Sequence, residues 1–326
     1  MSPDNSISKV ADRNLIDVAH QYQLAGVHLW PTVCSPDTNE RVSFLARHGI
    51  NQFSTDQVPD MPSASSSTGQ SARPSILLLM PTADASKASK IAAMNQTAEV
   101  ISTVDHYAQV EILQQAASEQ RTTVRTLVTI NAGANFFGCR PGTDTLQLAK
   151  VIHQQPNLSF EGLTAEVPAD RTLNDISRED SAISALLDTA LKVQQKGMEC
   201  SLVHLRTHAF ISPSRVPTGW QISIPLNAIS RTKTESSATK LSVTKTQTSQ
   251  PFMATIVARP SLDAVIIDCG TNVIQHPAKI ILSTGDQLPV KQIDDFRCVL
   301  DMTHANTELS IGQQIHFSTD TRKIEH

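Results

Sequence analysis

The stretch that decides the fold is 99–166, EVISTVDHYAQVEILQQAASEQRTTVRTLVTINAGANFFGCRPGTDTLQLAKVIHQQPNLSFEGLTAE. Short β-branched runs at Glu99–Val104, Val124–Asn131 and Leu158–Glu166 bracket two stretches whose apolar residues recur every three to four positions. Val110, Leu113 and Ala117 mark the first helical stripe, and Leu146, Ala149 and Ile152 the second. Asp105 and Thr143 have side chains suited to capping the two helix N-termini. Strand, helix, strand, helix, strand is the pattern of βα units around a parallel sheet.

Working outward, the same alternation reaches back through Gly26–Val33, Ile50–Thr55 and Ile76–Met80 and forward to Ser201–Arg206. Units of this number and length fit a closed (β/α)₈ barrel, and an open doubly wound sheet reads alike from periodicity alone. Two segments break the pattern. Pro59–Ser75 is Ser/Pro-rich and poor in apolar residues, which predicts a flexible surface insertion. The Thr/Ser/Lys-rich stretch 229–250 predicts a mobile loop or an exposed hairpin. Beyond it, Met253–Ala258, Ala264–Asp268, Lys279–Ser283, Arg297–Asp301 and Gln314–Phe317 follow one another without helices, the signature of a separate antiparallel β domain. The expected division is 1–220 for the barrel and 221–326 for the β domain.

Composition excludes several function classes. The 326 residues carry 27 Lys+Arg against 31 Asp+Glu, a formal charge of −4, so no basic footprint for nucleic acid exists. Aromatic residues make up only 4%, which argues against a base-stacking surface. Asp4, Asp12 and Asp17 interrupt the position where a signal peptide needs an apolar core, and no apolar run approaches membrane-spanning length, so the expectation is a cytoplasmic protein without a membrane partner. Five cysteines, Cys34, Cys139, Cys200, Cys269 and Cys298, are odd in number and scattered, which argues against a disulfide framework and a structural zinc site.

Four pieces, in order, resemble a known family: TLVTINAGANFFGCRPG at 126–142, NLSFEGLTAE at 157–166, ATIVARPSLDAVIIDCG at 254–270 and THANTELSIGQQIHF at 303–317. The chain resembles the fold type III pyridoxal phosphate (PLP) enzymes, specifically the D-threonine aldolase and metal-activated D-serine dehydratase group, whose barrel is of the alanine racemase N-terminal type. That resemblance implies a TIM-like barrel followed by a mostly antiparallel, D-serine dehydratase-like β domain, a PLP cofactor, a D-amino-acid substrate and a dimeric assembly.

The chemistry-bearing positions depart from the family pattern. Its Arg-Pro-His-x-Lys motif ends in the lysine that forms the imine with PLP. Here Trp30, Pro31, Thr32 and Cys34 stand at the corresponding positions, and a thiol cannot replace a primary amine. Phe136 falls where an arginine that contacts the cofactor is expected, and Asn131 replaces a nearby aspartate. Glu166-Val167-Pro168-Ala169 stands in place of Tyr-x-Gly-His, and Leu202–His208 lacks the glycine of a phosphate-binding turn. Thr319–Lys323 replaces the metal motif, so no metal ligand is assigned.

The candidate pocket residues are therefore Cys34, Asn131, Phe136, Glu166 and His204, with no catalytic residue among them. Glu166 stands at a strand end, where it can act as an acid or base or pair with Arg140 or Arg206; His204 and His208 are four apart. Phe136 and Phe137 fill the space of a cofactor ring in the structural reading. His304, with Asp301 three residues before it, marks a strand end or a remnant of the family's C-terminal histidine region.

The functional expectation is a divergent homologue of PLP-dependent D-amino-acid lyases that has lost PLP chemistry and acts as a catalytically silent, ligand-binding or regulatory protein. One alternative is an active PLP-dependent lyase or racemase acting on a small D-amino acid, with PLP as cofactor and another lysine as its anchor. A second is a non-catalytic subunit partnering an active paralogue. The expected partners are an amino-acid-like small molecule and a second chain, in a homodimer or a heterodimer.

Overall fold

The computed structural model describes residues 4–33, 38–59, 73–134, 136–167, 175–230, 251–274 and 277–320. Cys34, residues 60–72 of the Ser/Pro-rich stretch and residues 231–250 of the Thr/Ser/Lys-rich stretch lie outside the described residues. The chain divides into two compact units, Met1–Ser230 and Arg231–His326.

The first unit is a closed parallel barrel of eight strands in sequential order. They are β1 His28–Thr32, β2 Gln52–Thr55, β3 Ser75–Leu78, β4 Glu99–Val104, β5 Val124–Ile130, β6 Leu158–Glu166, β7 Leu202–Arg206 and β8 Gln221–Pro225. The helices are α1 Asp4–Leu24, α2 Thr38–Arg47, α3 Ala85–Met94, α4 Tyr107–Glu119, α5 Thr143–His153, α6 Asp175–Gln195 and α7 Leu226–Ser230. Closure rests on β8 lying parallel to β1 from His28↔Gln221 to Thr32↔Pro225. The barrel is therefore closed, and the open-sheet alternative is excluded.

All seven strands expected in the barrel are present, and β8 is the addition. Its five residues, QISIP, end in proline and follow no helical stripe, so no periodicity announces them. The barrel thus runs past residue 220 to the end of α7. Between β7 and β8 stands a single 3₁₀ turn, Pro213–Arg215, in place of a helix. Arg215 ties that turn to α6 through Glu179 and Asp180. The N-terminal α1 packs on β1 and α7 and anchors the same connection: the buried Tyr22 hydroxyl donates to the Ile211 carbonyl, and its ring meets Phe210 edge-on at 6.2 Å.

Two details of the helices differ from the sequence expectation. The N-cap of α4 is His106 rather than Asp105: His106 Nδ1 accepts from the Ala108 N–H, and the Gln109 side chain accepts from the His106 N–H, closing a capping box. Asp105 is engaged elsewhere. At α5 the cap position is Gly142, with Thr143 as the first helical residue. Along α5, Leu148 joins Ala149 and Ile152 in the core, while Leu146 is half-buried.

Gly162 shows where backbone conformation is decisive. The β5–β6 register shifts between Thr126 and Leu127, opposite Phe160 and Gly162. Gly162 has φ +151°, and a Cβ there would lie 1.8 Å from the Leu202 carbonyl oxygen on β7.

The second unit is a closed antiparallel barrel in the order β10-β13-β12-β11-β14-β9. Its strands are β9 Phe252–Ser261, β10 Ala264–Ile267, β11 Lys279–Leu282, β12 Gln287–Ile293, β13 Cys298–Asp301 and β14 Gln314–Asp320. Ile256, Val265, Ile267, Ile280, Leu300 and Phe317 fill its core. The five expected strands are joined by β12, whose Pro289 and Lys291 hide it from a pattern search. The Arg297 side chain, 2% exposed, is neutralised by Asp294 at 2.5 Å. No helix among the described residues is long and apolar enough to cross a membrane.

The close approach at Gly162 makes a test. Gly162→Ala is expected to cost about 3 kcal/mol, because the backbone of β7 must move to admit the methyl group. Urea unfolding measures the loss, and an unchanged midpoint would show that β6 and β7 are not packed this tightly.

Candidate functional site

Alternation along the strands sorts the barrel interior. Trp30, Leu77, Leu79, Ile101, Leu127 and Leu202 form their own buried cluster, while alternate neighbours such as Leu29, Ile76, Leu78, Val100, Val128 and Leu205 join the cluster shared with the helices. Successive side chains on a strand point to opposite faces, so Thr32, Thr103, Thr129, His204 and Arg206 continue the inner face toward the C-terminal ends. The wall formed by β3, β4 and β5 is mainly leucine and isoleucine, whereas β1, β2, β6, β7 and β8 contribute hydroxyls, carboxylates, an imidazole and a guanidinium.

His204 sits at the centre of the polar wall, fully buried. Its Nδ1 lies 2.7 Å from the Thr164 hydroxyl on β6, and its Nε2 lies 2.7 Å from the Ser223 hydroxyl on β8. Either hydroxyl can donate or accept, so a neutral ring with one N–H satisfies both. Burial, reinforced by the nearby Arg206 charge, pushes the His204 pKa down to about 3. Next to it, Thr32 and Ser54 hydroxyls pair at 3.0 Å, joining β1 to β2.

One step closer to the mouth, Arg206 at the end of β7 reaches across the barrel to Asp56, which follows β2. Nη2 donates to Oδ2 at 3.0 Å, and Nη1 makes a close ion-pair contact with Oδ1 at 2.7 Å. Two strands, β8 and β1, stand between β7 and β2. Arg206 Nη1 also lies 3.7 Å from Glu166 Oε2 at the end of β6, and Glu166 Oε1 lies 2.6 Å from His208 Nε2. Asp56, Glu166 and Arg206 are all buried, while the His208 side chain is 28% exposed. The result is a continuous chain, Asp56–Arg206–Glu166–His208, running from the interior to the rim.

The connection after β5 folds back on the strand. Asn131 N–H donates to the Cys139 carbonyl at 2.9 Å, and Cys139 N–H donates to the Thr129 carbonyl at 3.0 Å. Gly138 has φ +117°, and a Cβ there would lie 2.3 Å from the Asn131 nitrogen. Its N–H donates to Asp105 Oδ2 at 2.7 Å, and the Gln109 side chain donates to Oδ1 at 2.6 Å. Burial pushes the Asp105 carboxyl upward against those two bonds. Phe136 and Phe137 are buried in this connection, 5% and 4% exposed. The Thr129 hydroxyl is buried without a hydrogen-bond partner among the described residues.

Of the residues singled out from sequence, Glu166 and His204 lie on adjacent strands, and Glu166 pairs with Arg206, one of its two expected partners. His204 and His208 are not brought together: one is sealed between strands and the other faces Glu166 at the rim. Asn131 Oδ1 accepts from the Gly133 N–H at 3.0 Å, which closes a local turn. Asp301 accepts from Thr303 and pairs with Lys291, ending β13 beside the exposed His304. Among the described residues no group of three or more His, Cys, Asp or Glu could hold a metal ion. Asp56, Thr164 and Ser223 escaped the sequence reading, which gave Asp105 only as a helix cap. A signal for the two aspartates existed: an acid ends or follows β2, β4 and β6, at Asp56, Asp105 and Glu166.

A cavity of about 410 Å³ opens at the opposite end of the barrel, between His28, Asn51, Gln52 and Ser75. That end of a barrel serves stability rather than chemistry, so the site is placed at the mouth.

Residues 24–212 match the family model of the alanine racemase N-terminal domain. The chain belongs to this family. The architecture agrees, since solved structures with the same fold include D-threonine aldolase from Filomicrobium marinum, at TM-score 0.59 and 19% identity over 95% of this chain and 84% of that one. D-threo-3-hydroxyaspartate dehydratase from Delftia sp. HT23 has TM-score 0.55 and 12% identity over 95% and 87%. Alanine racemase from Clostridium difficile 630, in complex with cycloserine, has TM-score 0.53 and 11% identity over 94% and 83%. No curated protein sequence matches the chain. Membership of the fold type III PLP family expected from sequence is therefore established, and at these identities the solved structures speak for the fold alone.

Two expectations follow. Arg206→Met strands the buried Asp56 and Glu166 carboxylates and should cost about 3–5 kcal/mol in urea unfolding. Adding Asp56→Asn should cost less than the sum of the single changes, since the pair is coupled. The second concerns pH. Between the native His204 value of about 3 and the ordinary 6.5, the unfolded chain binds a proton that the native state refuses. This contribution is complete above the ordinary value and shrinks as pH falls below it, by about 1.4 kcal/mol per pH unit. His204→Gln, which keeps an amide between the two hydroxyls, should flatten the slope of stability against pH in the same unfolding assay.

Proposed function

We propose that this chain is a member of the alanine racemase N-terminal family that no longer carries out PLP chemistry and uses its barrel mouth as a ligand-binding or regulatory site. One observation carries the reading: neither the eight strands nor the connection that follows each of β1 to β7 contains a lysine. The lysines of the barrel unit, Lys9, Lys87, Lys90, Lys150, Lys192 and Lys196, fall on the helices or, for Lys196, just beyond α6. An exchangeable imine with the cofactor aldehyde needs a primary amine within the mouth.

The donor set at the mouth also disagrees with the cofactor. Its phosphate would meet the carboxyl groups of Asp56 and Glu166, and the Arg206 guanidinium beside them is already held by Asp56. The described residues therefore do not fit PLP. Phe136 and Phe137 support the same reading, since buried phenyl rings offer a ring system but neither charge nor hydrogen bonds.

The ligand class in this proposal is amino-acid-like, in keeping with the alanine racemase and D-threonine aldolase whose fold the chain shares. Cytoplasmic location, and pairing with a second copy or with a lysine-bearing paralogue, belong to the same proposal, as does the D-serine dehydratase-like character of the β unit.

The test is titration of the purified protein with PLP, followed by absorbance, borohydride reduction and peptide mapping. The expected result is no imine band and no reduced adduct. A reduced adduct on any lysine would overturn the proposal and identify that lysine as the anchor of an active PLP lyase or racemase.

A further inference from the structure

The chain of charges at the mouth ends in a group with one side unused. His208 Nε2 lies 2.6 Å from Glu166 Oε1. A carboxylate can only accept, so Nε2 carries the hydrogen and donates it. In a neutral ring, Nδ1 then holds a lone pair, and among the described residues it has no hydrogen-bond partner. The ring is 28% exposed, at the C-terminal end of the barrel. It is the one member of the Asp56–Arg206–Glu166–His208 chain that a ligand can approach.

The residues behind it hold it in place. Glu166 is buried and cannot turn away without leaving Arg206, and Arg206 is fixed by two contacts to Asp56. The backbone next to His208 is pinned as well: Thr207 N–H donates to the Ser223 carbonyl at 2.9 Å, and its hydroxyl donates to the Ala209 carbonyl at 2.9 Å. A carboxylate that orients an imidazole, itself oriented from behind, fixes the ring with its far nitrogen turned away from the pair.

We propose that His208, aligned by Glu166, is a proton-accepting group that receives the O–H or N–H of a small ligand at the barrel mouth. Arg206 and Asp56 act as positioning residues through Glu166. When the proton passes to Nδ1, the imidazolium formed is balanced by the Glu166 carboxylate on its other side. The proposal rests on the reading of the mouth as a site without a covalently held cofactor, and it is tested separately from it.

The opposing arrangement is a structural ion pair in which His208 is already an imidazolium and both nitrogens are donors. Acylation by diethyl pyrocarbonate separates the two, because the reagent requires an unprotonated ring nitrogen. The full-length protein is treated at about pH 7.5, above the ordinary imidazole pKa, and each histidine is followed by peptide mass spectrometry. His208 is expected to acylate at least as fast as the exposed His153 and His304, although it is the least accessible of the three. Glu166→Gln should slow that reaction by about tenfold, the scale on which outer-shell partners tune a ring. An unmodified His208 in the native protein, or a rate that is unchanged or faster in Glu166→Gln, would overturn the proposal. Should Glu166→Gln fail to fold, the rate in the native protein still decides. Borohydride reduction reports only on the cofactor reading, so either result can fail without the other.

Discussion

The Arg206–Asp56 pair is the constraint on which the mouth of the barrel depends. A guanidinium buried at a strand end forfeits its hydration, and only a nearby carboxylate with matching geometry offsets that loss. Asp56 supplies it through one hydrogen bond and one close ion-pair contact, but it follows β2 while Arg206 ends β7. The pair can form only after the sheet has closed through β8 and β1. Once formed, it fixes where Glu166 stands, and Glu166 in turn fixes His208. The polar half of the interior is thus ordered from a single long-range contact outward.

The apolar half follows a different rule. Leu77, Leu79, Ile101 and Leu127 interdigitate inside β3, β4 and β5 and require no partner beyond volume and shape. His204 marks the boundary between the two regimes. It is as buried as any leucine, yet it is neutral and matched by the hydroxyls of Thr164 and Ser223, so it bridges β6, β7 and β8 without bringing a charge into the core. Had either hydroxyl been an alanine, one ring nitrogen would lie buried without a partner. Three adjacent strands are therefore locked by one ring, directly beneath the guanidinium whose position matters most.

Most of the fold was legible because strands and helices write their periods locally. The seven strands read from sequence are present, and so are the helical stripes of α4 and α5. What escaped were elements whose signals are masked by proline or by missing neighbours: β8, which ends in Pro225 and has no helix before it, and β12, which contains Pro289. The site was legible only in part. Glu166 and His204 stood out because an ionisable group interrupts an apolar strand. Asp56 did not, because its partner is 150 residues away and its meaning exists only after closure. Asp105 was read as a helix cap, and a buried carboxylate that fastens Gly138 cannot be told from a cap by its position before a helix. Cys34, which the sequence reading sets at the family's lysine position, lies outside the described residues.

The placement of the acids separates what holds the barrel together from what its mouth carries. In an eight-stranded barrel, alternate strands contribute side chains to the same layer. Asp56, Asp105 and Glu166 sit at the ends of β2, β4 and β6, so the top layer of the even strands is acidic up to β8, where Pro225 breaks the series. The layers below, which hold the barrel together, make no demand on what this top layer carries beyond the space it fills. That division lets the chain share its architecture with D-threonine aldolase at 19% identity and with alanine racemase at 11%. Packing constrains the wall by shape, which many sequences satisfy, while a handful of strand-end residues decides what the mouth can bind. Here Asp56, Arg206 and Glu166 pair with one another and hold the His208 imidazole at the rim.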